Sequence, residues 1–358
     1  TTVAGNGNNG YSGDGGPATE ASLKSPEGVS IAPDGTLYIA DYGNDALRKV
    51  DPNGIITTLA YKTTEEDGST VTSTFLNSPV DISIGQDGSL YIAEYFGGMI
   101  RKIDPSGIMT TVAGSRYGDD SGDGGPATEA TLDEPMGVSI APDGSLYIAE
   151  YRSQVVRKVD PRGIITTVAG TRGDSGYSGD GGPATEALLD YPHRVGIAPD
   201  GNLYILDSEY SAVRKVDADG IITTVVGDGA AGFRGDGGLA TEARLRYPWG
   251  MSVSPGGDLY IADTFNQRIR KVKLTTQMAV ASSYFVPSSD GSVLYEFDNM
   301  GRHLKTLNAL SGTELYTFTY DGDGLLTGIS DRHGNITTIE HAADGTPSAI
   351  VSPYDQRT

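Results

Sequence analysis

The chain of 358 residues has no cysteine, one tryptophan and only four histidines. Without cysteine there is no disulfide framework, no thiolate metal site and no cysteine nucleophile. That absence is compatible with cytoplasm or with a bacterial exterior. The histidines are His193, His303, His333 and His341, too few and too scattered for a histidine-rich metal centre. No Gly-x-Ser-x-Gly nucleophile elbow occurs. No apolar run reaches the roughly 18 residues that a membrane-crossing helix needs, and no signal peptide pattern is present. Basic residues are outnumbered, 26 Lys and Arg against 47 Asp and Glu, for a net charge of −21. Nucleic acid and anionic membrane are therefore poor partners.

Glycine is what the chain has in abundance, with 50 residues placed mostly at turns between short apolar runs. The organising stretch is Pro142 to Gly170, PDGSLYIAEYRSQVVRKVDPRGIITTVAG. Asp143-Gly144 is a turn dipeptide, since glycine accepts positive φ without steric cost. Leu146 to Ala149 is apolar on both faces, as a strand covered on both sides would be. Val155 to Val159 alternates apolar and basic residues, and Ile164 to Val168 is rich in β-branched residues. With Gly137 to Ala141 in front, the spacing predicts four short strands, one propeller blade.

Five copies follow one another. The opening proline falls at Pro26, Pro79, Pro135, Pro192 and Pro248, in steps of 53, 56, 57 and 56 residues. Units that cannot bury their faces alone must stack, and four-stranded units favour a closed ring. Thr1 to Ala4 reads as a fourth strand without its first three, whereas the fifth unit ends near Val272 with three. The complementary defects predict that Thr1–Ala4 completes the fifth blade. The alternative is a sixth blade to which Thr1–Ala4 belongs, with the chain cut from something longer.

A second element, Ser12 to Ala21 (SGDGGPATEA), returns at Ser121–Ala130, Ser178–Ala187 and, altered, Arg234–Ala243. Its Pro-Ala-Thr-Glu-Ala half predicts a single helical turn. Asp14, Asp123, Asp180 and Asp236 lack the alternating acids of a calcium loop and read as turn acceptors of backbone N–H groups. The second unit has Thr63 to Asn77 instead. Gly5 to Gly10 matches a dinucleotide fingerprint by letter, but no βαβ context surrounds it, so it reads as a turn.

The pattern IADTFNQRIRKV at Ile261 to Val272 resembles the NHL-repeat β-propellers. Beyond Val272 the period stops. Tyr295 to Leu304 and Tyr320 to Leu325 carry the Tyr/Phe-Asp-x-x-Gly-x-Leu stamp of YD (RHS) repeats, extended by Asp331 to Ile336 and Ile350 to Arg357. A propeller feeding into YD repeats is similar to the teneurins and to bacterial teneurin-like RHS proteins. The resemblance implies an all-β chain with an NHL propeller at 1–272, a connector at 273–294 and the beginning of a YD-repeat shell at 295–358. It implies an extracellular or cell-surface module without cofactor or metal, in an adhesive or toxin-encapsulating assembly. Its partners would be a protein or glycan and the remainder of its own shell. The missing teneurin cysteines favour a prokaryotic source.

An acid ends each second strand and an arginine follows seven residues later: Asp41/Arg48, Glu94/Arg101, Glu150/Arg157, Asp207/Arg214 and Asp263/Arg270. Five identical pairs read as framework. One position varies where its surroundings do not: Glu27, Val80, Met136, His193 and Trp249 each follow the opening proline. Residues entering the innermost strand lie at the mouth of a propeller channel. Diversity there suits a ligand surface, with Trp249 and nearby Tyr247 as its anchor. Two readings of function stand side by side, a non-enzymatic interaction module and a propeller lyase or hydrolase acting on a small substrate or glycan. Clustered carboxylates or histidines in the channel would favour the second.

Overall fold

The computed structural model describes every residue except 62–75, 116–120, 255, 274–283, 289, 291, 298–301, 312, 322–324, 343–345 and 354–358. Residues Thr1–Lys273 form one compact unit and Leu274–Thr358 a second.

The first unit holds five consecutive antiparallel sheets. Blade 1 comprises β1 (Pro26–Ile31), β2 (Leu37–Asp41), β3 (Ala46–Val50) and β4 (Ile56–Tyr61). Blade 2 comprises β5 (Pro79–Ile84), β6 (Leu90–Glu94), β7 (Met99–Ile103) and β8 (Met109–Ala113). Blade 3 comprises β9 (Pro135–Ile140), β10 (Leu146–Glu150), β11 (Val155–Val159) and β12 (Ile165–Ala169). Blade 4 comprises β13 (Pro192–Ile197), β14 (Leu203–Asp207), β15 (Ala212–Val216) and β16 (Ile222–Val226). Blade 5 has β17 (Gly250–Val253), β18 (Leu259–Asp263) and β19 (Arg268–Val272).

Local chemistry explains the strand ends. In each Asp-x-x-Gly-Ile turn between third and fourth strands, the aspartate accepts two backbone N–H groups. Asp51 Oδ1 takes those of Asn53 and Ile55, each at 2.9 Å, and Gly54 supplies the φ of 81° that closes the turn. Asp104, Asp160 and Asp217 repeat the device. The second strands of blades 2, 3 and 4 are buried on both faces because each is covered by two neighbouring blades. Ala40 and Leu47 of blade 1 pack on Ile82, Leu90, Ile92 and Ile103 of blade 2. Ala149 and Val156 of blade 3 pack in the same way on Val195, Leu203 and Ile205 of blade 4. Each buried Val, Leu or Ile among them contributes about 1.5–3 kcal/mol by leaving water.

The expected helical turns occur at Ala18–Glu20, Ala184–Glu186 and Ala240–Glu242, while the Ala127 copy is a turn. Residues 63–75 of the variant loop lie outside the described residues.

The ends behave differently from the closed five-blade expectation. Thr1–Ala4 forms no strand, and β19 has no fourth strand beside it among the described residues. Ala4 packs instead with Ala18, Ala21 and Ile39, and the Gly5 N–H donates to Ala18 O at 2.9 Å. The segment is thus held by blade 1, not by blade 5. Two flanks are bare in consequence. Ile269 on β19 is 68% exposed, where its equivalents Leu47, Ile100, Val156 and Val213 are 0% exposed. Val29 on β1 is 61% exposed, where its equivalents Ile82 and Val138 are buried.

The second unit is one antiparallel meander of seven strands: β20 (Tyr284–Pro287), β21 (Val293–Phe297), β22 (His303–Asn308), β23 (Glu314–Tyr320), β24 (Leu326–Asp331), β25 (Ile336–His341) and β26 (Pro347–Val351). β20 falls inside the stretch expected as a connector and pairs with β21; residues 274–283 of that stretch lie outside the described residues. His303 is stacked between Phe297 and Phe318, at 4.9 and 4.1 Å. The turn aspartate recurs here, since Asp331 Oδ1 accepts the N–H groups of His333 and Asn335.

Candidate functional site

The acid–arginine pairs set the frame of the channel mouth. Asp41 pairs across the hairpin with Ala46, so Arg48, two residues on, lies diagonally on the same face. Arg48 Nη1 is 3.3 Å from Asp41 Oδ2, and Nη2 is 2.8 Å from Asp14 Oδ1. Arg157 meets Glu150 at 3.3 Å and Asp123 at 2.6 Å. Arg214 meets Asp207 at 3.7 Å and Asp180 at 2.7 Å, and Arg270 meets Asp263 at 3.4 Å and Asp236 at 2.5 Å. In blade 2, Arg101 lies 3.6 Å from Glu94. The loop aspartates also accept backbone N–H groups, as Asp14 does from Thr58 at 3.1 Å.

Each of four acids has a second task. Asp41, Glu150, Asp207 and Asp263 accept the N–H of Lys24, Asp133, Asp190 and Arg246, at 2.7–2.9 Å. These donors stand two residues before the opening proline. The intervening residue then takes positive φ, from 43° at Tyr247 to 54° at Tyr191. That left-handed step costs about 1–3 kcal/mol at a non-glycine residue unless its surroundings hold it. Here the buried carboxylates hold it, and the next-but-one residue is aimed at the axis.

The first strands pack side by side, β1 on β5, β5 on β9, β9 on β13 and β13 on β17, so they line the axis. Val80, Met136 and His193 are buried there, whereas Glu27 and Trp249 face solvent. The next position along reads Gly28, Asp81, Gly137, Arg194 and Gly250. A Cβ on Gly28 would sit 2.6 Å from Val80 O, and one on Gly137 would sit 2.9 Å from His193 O. Glycine there lets the next blade approach, and the space is taken by the two charged side chains. Arg194 donates to the carbonyl oxygens of Met136, His193 (3.0 Å) and Val80 (3.1 Å), and its Nε is 3.6 Å from Asp81 Oδ1. Asp81 Oδ2 accepts the Val138 N–H at 2.9 Å. The axis is crossed by this pair. Sequence reasoning passed over Asp81 and Arg194, although a charge where three copies have glycine is a readable signal.

Electrostatics follow burial. Desolvation raises the Asp81 carboxyl above the ordinary range against the pull of Arg194. Glu27 is open to solvent on one side, and the protein packed on its other side still raises it by desolvation, with Arg194 opposing and Asp81 adding. His193 is pushed well below its ordinary value by burial and then by Arg194, so its ring is neutral at physiological pH.

Around the mouth the aromatic rings are continuous. Tyr191 lies 4.5 Å from Tyr151, and Tyr151 lies 5.9 Å from His193. The His193 and Trp249 rings are parallel within 3° at 5.9 Å. Phe265 joins Trp249 at 5.7 Å and Tyr247 at 5.2 Å. The structure therefore brings His193, Trp249 and Tyr247 into one row, with Tyr151, Tyr191 and Phe265 as members that sequence reading did not single out. Trp249 and Phe265 are 50% and 49% exposed. A cleft of about 640 Å³ lies elsewhere, beside the bare flank of β1, lined by Thr2, Asn6, Asn8, Thr19 and Ser25 among others, without an acid or a base.

Known proteins carry the same two parts. Residues 4–71, 114–175 and 171–231 match the teneurin NHL domain, 245–272 the NHL repeat and 281–358 the teneurin YD-shell. Teneurin-1 of Homo sapiens is 28% identical over 362 residues, covering 97% of this chain and 12% of that protein. Teneurin-4 of Mus musculus is 30% identical over 367 residues, covering 96% and 11%. The chain thus spans about one-eighth of the length of these relatives. A solved structure of an auxiliary nutrient binding protein from Bacteroides thetaiotaomicron shares the fold, with a TM-score of 0.51 at 18% identity over 71% of this chain and 60% of that one. The curated relatives are animal proteins, which gives no support to the prokaryotic source that the missing cysteines favoured.

Proposed function

Because this chain belongs to the teneurin family, by its NHL domain and its YD-shell segment, we propose that it is a non-enzymatic interaction module of a cell-surface or extracellular protein, binding a partner through the mouth of its propeller. The observation that carries the reading is the aromatic row ending in half-exposed Trp249 and Phe265. Aromatic rings have few side-chain torsions, so they lose little entropy on binding and supply large contact area. A binding role is favoured over a catalytic one by the axis itself. Arg194 and Asp81 cross it, and the one histidine beside them is buried and hydrogen-bonded. The YD-shell match supports membership of a larger wall of sheet, as an adhesive or toxin-enclosing assembly requires.

The test is adhesion of cells to surfaces coated with the chain. Trp249→Ala is expected to weaken adhesion by about 2 kcal/mol in partner affinity, with an unchanged melting temperature. Undiminished adhesion by that variant would remove the mouth from consideration.

A further inference from the structure

The mouth is not uniform in charge, and the difference points to a ligand class. On the blade 3 and blade 4 side, the tilted Tyr151–Tyr191 pair, 36° between ring planes, is bordered by Asp190 and Glu209. Their backbones are joined, since the Glu209 N–H donates to Asp190 O at 3.3 Å. Neighbouring Ser208 ties the group to both ends of the aromatic row, through its N–H to Tyr191 O at 3.4 Å and its hydroxyl to Pro248 O at 2.7 Å. Neither carboxylate has an ion pair among the described residues. Glu134, also near Tyr151, is committed to the Tyr95 hydroxyl at 2.7 Å and to Arg152 at 3.7 Å. Arg194 is turned inward to backbone carbonyls, and Arg246 lies on the blade 5 side.

We propose that this face binds a cationic peptide segment, one Arg or Lys side chain lying over Tyr151 and Tyr191 between Asp190 and Glu209, and an apolar neighbour resting on Trp249 and Phe265. The proposal rests on the mouth being the binding face. A guanidinium or ammonium is drawn both to the aromatic faces and to the two carboxylates. Asp190 raises the affinity of Glu209 for protons, after desolvation, and a cation relieves that repulsion. A neutral sugar would stack on the rings and leave the repulsion in place. The net charge of −21 adds long-range attraction for a basic partner.

Trp249 is the only tryptophan, so its emission reports this face alone. The full chain is titrated with a short peptide carrying arginines and a leucine, with an acidic peptide of the same length, and with a neutral oligosaccharide. The arginine peptide is expected to shift the emission saturably. Glu209→Gln with Asp190→Asn should weaken it at least about tenfold while the melting temperature holds. Phe265→Ala should weaken it as well. An equal response to the acidic peptide, or affinity unchanged in the carboxylate variant, overturns the cationic assignment. A saturable response to the oligosaccharide alone overturns the ligand class and leaves the mouth as the binding face. Silence to every probe, together with full adhesion by Trp249→Ala, overturns both.

Discussion

Arg194 of β13 reaches Asp81 of β5 across the axis, Nε to Oδ1 at 3.6 Å, and so joins blades that are not neighbours. Removing the arginine alone leaves Asp81 buried without its counter-charge. Arg194→Met is expected to cost about 3–5 kcal/mol, as broken buried pairs do. Asp81→Asn should cost less, since the amide oxygen still accepts the Val138 N–H. Denaturant unfolding of both single variants and the double variant gives the coupling. Additive losses would show that the two side chains act independently.

Ile269 and Ile100 occupy equivalent places on third strands, but only Ile100 is covered by a following blade. Ile100→Ala is expected to destabilise by about 2–5 kcal/mol and Ile269→Ala by less than about 0.5 kcal/mol. Comparable losses at the two sites would mean that the β19 flank is covered in solution.

Burial raises the Glu94 carboxyl to about 8, because desolvation outweighs Arg101 at 3.6 Å. Between its ordinary value of 4.5 and about 8, the folded chain holds a proton that the unfolded chain has released. Stability therefore falls as pH rises through that window, by up to about 1.4 kcal/mol per pH unit for one group. Asp207 is raised to about 8 by the same cause and adds in the same direction. Urea midpoints from pH 5 to 8 should decline in the wild type and decline less steeply in Glu94→Gln. Parallel pH profiles would show that Glu94 ionises normally.

The seven-stranded sheet leaves most of its side chains partly exposed, with Thr306 and Ala349 the buried exceptions among the described residues. So little buried apolar area gives weak independent stability. Residues 283–358 expressed alone are expected to be unfolded or aggregated. A cooperative, monomeric unfolding transition measured on that segment would show an independent domain.

Much of this was legible in the residues. The LYIA strands, the Asp-x-x-Gly turns and the acid–arginine spacing are local patterns, and each folds where its pattern stands. Trp249, Tyr247 and His193 were legible as a group only through their place in the repeat. Phe265, Tyr151 and Tyr191 were not, because each sits in a turn whose sequence does not say which blade it will face. The role proposed for Thr1–Ala4 failed for a related reason. Thr1–Ala4 carries the fourth-strand pattern but pairs with no strand, because a strand pattern does not supply the sheet edge that would take it.

The sequence alone determined the all-β blades, their number of copies and their turns, because backbone hydrogen bonding and period-two burial are decided within a few residues. Only the tertiary structure decided which sheet flanks stay bare, that Arg194 and Asp81 cross the axis, and which rings share the mouth. Those outcomes depend on side chains from blades far apart in the chain, brought together by packing between sheets.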